Sequence, residues 1–117
     1  MIIVYVYQKC GSCRDALKWL KLKQIPHEVK AIRETPPLPH EIKAAILALD
    51  GDFRRIFNTS GTDYRALDLK SQMATIGEEE VIDLLSTNGN LVKRPFLIGD
   101  GKLLVGFNEP DWQKILG

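Results

Sequence analysis

Cys10 and Cys13 are the only cysteines of this chain, and two residues separate them in Cys10-Gly11-Ser12-Cys13. Two thiols at that spacing can close a small disulfide ring, so the chemistry they suit is thiol–disulfide exchange. The run before them, Ile2-Ile3-Val4-Tyr5-Val6-Tyr7, is β-branched and aromatic and predicts a strand over 2–7. The run after them, Arg14 to Lys23, carries apolar residues at helical spacing and predicts a helix over 11–23. A helix leaves its first N–H groups without internal partners, and its dipole is positive at that end. That field favours thiolate over thiol. Cys10 is therefore expected to titrate below an ordinary thiol and to be the attacking group, with Lys9 and Arg14 adding positive charge. Cys13 lies one turn deeper, is expected to be less exposed, and is read as the resolving or structural thiol. Ser12 has two compatible readings: its hydroxyl caps the helix, or it hydrogen-bonds the Cys10 thiolate. A zinc site would need two further ligands. His27 and His40 are the only histidines and do not have zinc-ligand spacing, so no metal is expected.

Length and composition set the frame for these thiols. A chain of 117 residues with 44% apolar content predicts one domain with its own core. At this size roughly two thirds of the unfolded surface is buried on folding, so no disulfide or metal staple is required. Two cysteines are too few for a secreted disulfide scaffold. Met1 leads straight into a strand pattern without a basic leader, and no apolar run approaches the roughly 20 residues that span a bilayer. The expectation is a cytoplasmic protein with reduced thiols and no membrane partner. A net charge of +1 argues against direct nucleic-acid binding. Yet residues 1–33 hold seven Lys/Arg against two acids, so the thiol-bearing third is basic. That suits an anionic substrate or partner such as glutathione. A merely solvated helix face would also account for Lys18, Lys21 and Lys23.

Beyond the first helix, Ile25-Pro26 is expected to break it and residues 27–31 to form a second strand, giving a βαβ unit with parallel strands. Thr35-Pro36-Pro37-Leu38-Pro39 reads as a stiff connector, with Pro39 in the first turn of a helix whose buried face is Ile42, Ala45, Ile46 and Leu49. Asp50-Gly51 ends that helix, and short helices and turns follow over 52–77. Glu78-Glu79-Glu80 complements a helix N-terminus, with Val81, Ile82, Leu84 and Leu85 buried and Asn88-Gly89-Asn90 as the stop. Residues 96–98 and 103–105 read as strands joined by Gly99-Asp100-Gly101-Lys102, an antiparallel hairpin. Pro110 opens a last helix. Trp19 and Trp112 read as core anchors.

The order β-α-β, helical region, β-β-α with a helix-initial CxxC resembles the thioredoxin fold, an α/β class with a mixed four-stranded sheet. More specifically, nearly the whole chain resembles the glutaredoxin-linked arsenate reductase family, which includes the Spx-type transcriptional regulators. The residues that carry this are Cys10 to Arg14, Glu34-Thr35-Pro36-Pro37, Phe57-Asn58-Thr59-Ser60-Gly61 with Tyr64-Arg65, Leu91-Val92-Lys93-Arg94-Pro95 and Val105-Gly106-Phe107. The resemblance implies one domain over 1–117 with a helical insertion at about 39–88. It implies Cys10 as the catalytic cysteine, Arg94 as an arginine that contacts a bound oxyanion, and Pro95 as the cis proline facing the redox cysteine. Ser12 and Arg14 join Arg94 and Pro95 as candidate substrate-binding residues. The other reading of Arg94 is a structural salt bridge.

Where this chain departs from the family pattern, the departures bear on substrate. Glutathione-dependent arsenate reductases set three arginines around the cysteine; here only Arg94 matches, Asn58 stands at the first position, and Gly106-Phe107-Asn108 holds no arginine at the third. Losing two cations is expected to weaken the binding of a compact, multiply charged anion. The reductases built on cysteine, five residues, then arginine are set aside, because Ala16 and Trp19 occupy the positions where that arginine would fall. Spx-type relatives keep the CxxC as a redox switch and bind the RNA polymerase α C-terminal domain. Cys10, Cys13, Arg94 and Gly106 fit them, and Gly51 falls near their contact glycine. The chain ends at Gly117 without their basic extension. The expectation is a thiol–disulfide oxidoreductase with no tightly bound cofactor, reduced by glutathione or a glutaredoxin- or thioredoxin-like donor. A redox-sensing regulator and an arsenate reductase are the alternatives.

Overall fold

The apolar N-terminal run forms a strand, and the order of elements follows the sequence pattern closely. They are β1 (Ile2–Val6), α1 (Gly11–Leu22), β2 (His27–Ala31), α2 (Pro39–Ala48), α3 (Thr62–Ala66), α4 (Leu69–Gln72), α5 (Glu78–Thr87), β3 (Phe96–Gly99), β4 (Lys102–Val105) and α6 (Glu109–Leu116). Two 3₁₀ turns, Phe53–Ile56 and Gly89–Leu91, complete the chain. The structure, a computed structural model, describes residues 1–117. It comprises two compact units: Met1–Ala31 with Arg94–Gly117, and Ile32–Lys93. No helix is long and apolar enough to cross a membrane.

The first unit holds a mixed four-stranded sheet in the order β2-β1-β3-β4. β1 and β2 are parallel, whereas β1–β3 and β3–β4 are antiparallel. The register aligns Val4 with Val29 on one side and Leu97 on the other, and Leu97 with Leu104. Period-two alternation sends Ile2, Val4 and Val6 to one face. There they pack with Leu97, Leu104, Cys13, Ala16, Trp19, Leu20 and Trp112 as one buried cluster. Trp19 and Trp112 meet edge to face with ring centroids 6.0 Å apart, and the Trp112 indole N–H donates to the Gly106 carbonyl at 3.0 Å. Both tryptophans are thus core anchors.

Turn chemistry accounts for two boundaries. Gly99 pairs with Lys102, so the hairpin loop is only Asp100-Gly101, and both residues have positive φ, +52° and +73°. That is the backbone a two-residue loop of matching twist needs. α1 stops at Leu22, before the expected break at Ile25-Pro26. Gln24 turns left-handed, with φ of +56°, and the Ile25 N–H donates back to the Leu20 carbonyl at 3.1 Å. The chain reverses by closing the helix end on itself before the proline acts.

In the second unit, α2 begins at Pro39, and the Glu41 carboxylate accepts the Leu38 N–H at 2.8 Å, covering an N-terminal donor. Ile42, Ala45 and Ile46 of α2 are buried, as are Val81 and Leu85 of α5, and α2 packs along α5. After α5 the expected stop is itself a tight 3₁₀ turn. A Cβ on Gly89 would fall onto the Ile32 carbonyl oxygen, so only glycine lets these two backbone segments touch. Asn88 and Asn90 both donate to Asp63 Oδ2, at 3.1 and 3.2 Å.

Candidate functional site

The loop between β1 and α1 sets the two thiols. Cys10 is the residue that caps α1, with extended φ and ψ of −99° and 117°. Its N–H donates to the Tyr7 carbonyl at 3.0 Å, and its own carbonyl accepts the Arg14 N–H at 3.1 Å. Its side chain stands at the positive end of α1, whose first turn contains no acidic residue. Ser12 is inside the helix, so it does not cap it. Its Oγ lies 3.2 Å from Cys10 Sγ, which is the second of the two roles expected for that hydroxyl. Once Cys10 ionises, only the Ser12 O–H can donate.

The two thiols, both free, are driven in opposite directions. For Cys10, partial burial favours the neutral form. Hydrogen bonds from Ser12 and from the Cys13 side chain and backbone, joined by the Arg94 charge, outweigh it and hold the thiol below its ordinary value of 9.0. Cys13 is buried in the first unit's core at 1% exposure. Desolvation dominates there and, helped by the hydrogen bond and charge of Cys10, pushes its thiol up to about 12 against a backbone hydrogen bond from Tyr7 and the charge of Arg94. Cys10 is therefore the group poised to ionise and Cys13 the one held as thiol.

Arg94 supplies the positive charge that acts on both thiols. This corrects the expectation for Lys9 and Arg14, which are exposed. Arg14 contributes its backbone N–H to the first helical turn. Arg94 forms no salt bridge. Its Cζ sits 4.9 Å from the centroid of the Tyr7 ring, and its Nη1 is buried with no hydrogen-bond partner. The Arg94–Pro95 bond is cis. Pro95 is buried, and its carbonyl accepts the Gly106 N–H at 2.8 Å.

The two positions without the family's arginines have local explanations. Gly106 has φ of +75°, a conformation that disfavours any side chain, and its N–H and carbonyl are taken by Pro95 and Trp112. Asn58, in the second unit, directs its Nδ2 to the Asn90 carbonyl at 3.4 Å. Tyr7 was the residue missed from the sequence. As the last of six apolar or aromatic residues it reads as the end of a strand, and only its place three residues before Cys10 hints at more.

A sheet of this order with a thiol pair opening the first helix defines a thioredoxin-like fold. Within it, the chain belongs to the ArsC family, whose model matches residues 5–115. Among its relatives, the uncharacterized protein YusI of Bacillus subtilis is 39% identical over 94% of this chain and 93% of its own. The global transcriptional regulator Spx of Enterococcus faecalis is 28% identical over 99% of this chain and 86% of its own. Among solved structures, a protein of Streptococcus mutans described as a possible arsenate reductase superposes with a TM-score of 0.88. It is 32% identical, over 97% of this chain and 98% of that one. The family thus spans regulators and reductases, and thiol redox chemistry fits this chain.

Proposed function

We propose that this protein is a thiol–disulfide oxidoreductase in which Cys10 is the nucleophile and Cys13 the resolving thiol. The observation that carries this reading is the opposite displacement of the two thiols at one helix start. Cys10 thiolate attacks one sulfur of a substrate disulfide, forming a mixed disulfide and releasing the other half as thiolate. Cys13 then gives up its proton and attacks Cys10 Sγ. The Cys10–Cys13 bond forms, and the second half leaves and takes up a proton. The substrate gains two electrons and the pair loses two. Two equivalents of glutathione, or one dithiol of a glutaredoxin- or thioredoxin-like donor, restore the thiols. Arg94, with an unpartnered buried nitrogen, would hold an anionic group of the substrate, and the backbone at Pro95 would position the partner. A reducing compartment such as the cytoplasm suits the cycle.

Trapping tests this directly. With glutathione disulfide, Cys13→Ser is expected to accumulate one glutathione on Cys10, wild type to go on to the internal disulfide, and Cys10→Ser to remain unmodified. An adduct on Cys13 in Cys10→Ser, or none on Cys10 in Cys13→Ser, would defeat the assignment. Similarity to Spx over 99% of the chain supports a second reading, a redox-sensing regulator that binds the RNA polymerase α C-terminal domain. Pull-down with that domain in both redox states decides it, and absence of binding in both removes it. Arsenate reduction, with only one of three arginines in place, is checked by arsenate-dependent consumption of glutathione in the presence of glutaredoxin.

A further inference from the structure

Tyr7 is the residue at this site to which the exchange chemistry assigns no task, yet three contacts converge on it. Its carbonyl accepts the Cys10 N–H at 3.0 Å. Its backbone hydrogen-bonds the Cys13 thiol. Its ring lies 4.9 Å from Arg94 Cζ. The first two belong to the main chain and any residue could make them. The third belongs to this side chain alone.

Arg94 has no carboxylate partner, and one of its nitrogens is buried without a hydrogen bond. A long side chain in that state would sample many rotamers. An acidic residue could fix it, but would neutralise the charge and occupy the donors. An aromatic face holds a guanidinium by its quadrupole and leaves charge and N–H groups available. We propose that Tyr7 is a positioning residue for Arg94: its ring holds the guanidinium beside Cys10, so that the site favours disulfides bearing a carboxylate, the chemical class of glutathione disulfide, over neutral ones. This rests on Cys10 being the attacking thiol.

The test compares alkylation of Cys10 by iodoacetate, an anion, with that by iodoacetamide, its neutral analogue, in the full-length reduced protein. Both reagents attack the same thiolate, so a change in its population cancels in the ratio of their rate constants. A purely structural defect moves both alike. Tyr7→Leu is expected to lower the iodoacetate to iodoacetamide ratio about two- to fivefold, toward the value of Arg94→Gln, whereas Tyr7→Phe keeps it. An unchanged ratio in Tyr7→Leu overturns the proposal. So does an equal fall in Tyr7→Phe, which would assign the effect to the hydroxyl. Should Tyr7→Leu not fold, wild type itself decides. The side-chain protons of Arg94 are expected to be shifted upfield by the ring current in its proton spectrum, and their absence from that region overturns the proposal. Peptide mapping keeps the two claims apart: label on Cys13 rather than Cys10 would overturn the exchange assignment, and this proposal with it.

Discussion

Replacing Ser12 with Ala removes the hydroxyl that lies 3.2 Å from Cys10 Sγ. A hydrogen bond to a charged group contributes about 1.5–3 kcal/mol. Ser12 and Cys10 are both half-buried, so water takes over part of the lost bond, and about 1 kcal/mol is the net loss expected. That lowers the thiolate fraction about fivefold at any pH below both titration midpoints. The remaining thiolate is more basic and therefore more nucleophilic, by about twofold at a Brønsted slope near 0.45. The net rate of exchange with a neutral disulfide should then fall only about 2.5-fold on the acid side. On the alkaline side, where both proteins are ionised, the variant should be about twofold faster than wild type. Stopped-flow exchange across a pH series reads both limbs, and the signature is that the two profiles cross. Alanine is a good helix former at this second helical position, so folding is preserved. Profiles with the same midpoint, or a variant slower at every pH, would refute the assignment of Ser12 to the thiolate.

The buried thiol predicts an alkaline loss of stability. Cys13 titrates near 9.0 when unfolded and near 12 when folded; its contribution is full below about pH 9 and declines as pH rises toward 12, because the unfolded chain ionises first. The gap in unfolding free energy between wild type and Cys13→Ala should narrow by about 1 kcal/mol from pH 8 to pH 10 in urea titrations, and a constant gap would contradict the burial argument. Gly89→Ala places a methyl on the Ile32 carbonyl and should destabilise the protein by about 2–3 kcal/mol in the same assay; a change below about 0.5 kcal/mol would show that the two segments can separate freely.

Much of this architecture could be read from residue order because its signals are local. Alternating Ile2, Val4 and Val6 against a face of Cys13, Ala16 and Trp19 encode a strand followed by a helix within about twenty residues. Asp100-Gly101 encodes its own hairpin because few other pairs tolerate two positive φ angles in succession. The helix-start position of Cys10 and the depth of Cys13 were legible for the same reason, whereas Arg94 stood out only through the resemblance to a family. Relations set by side-chain direction were not. Whether Ser12 caps the helix or faces the sulfur depends on a shift of two residues in where α1 begins. Lys9 and Arg14 are adjacent to the thiols in sequence but exposed, while Arg94, some eighty residues later, supplies the charge. Tyr7 looked like one more strand residue because its ring contact is with Arg94, far along the sequence.

The packing of Cys13 also gives the protein an optical property. Its two tryptophans, Trp19 and Trp112, belong to the same buried cluster as this sulfur and touch each other edge to face. Indole emission is sensitive to neighbouring sulfur and to small changes in packing. A bond formed at Cys13 alters the surroundings of every tryptophan the chain contains, with no exposed indole to dilute the signal. The chain thus carries its own fluorophores for following the state of its thiols, without a label attached.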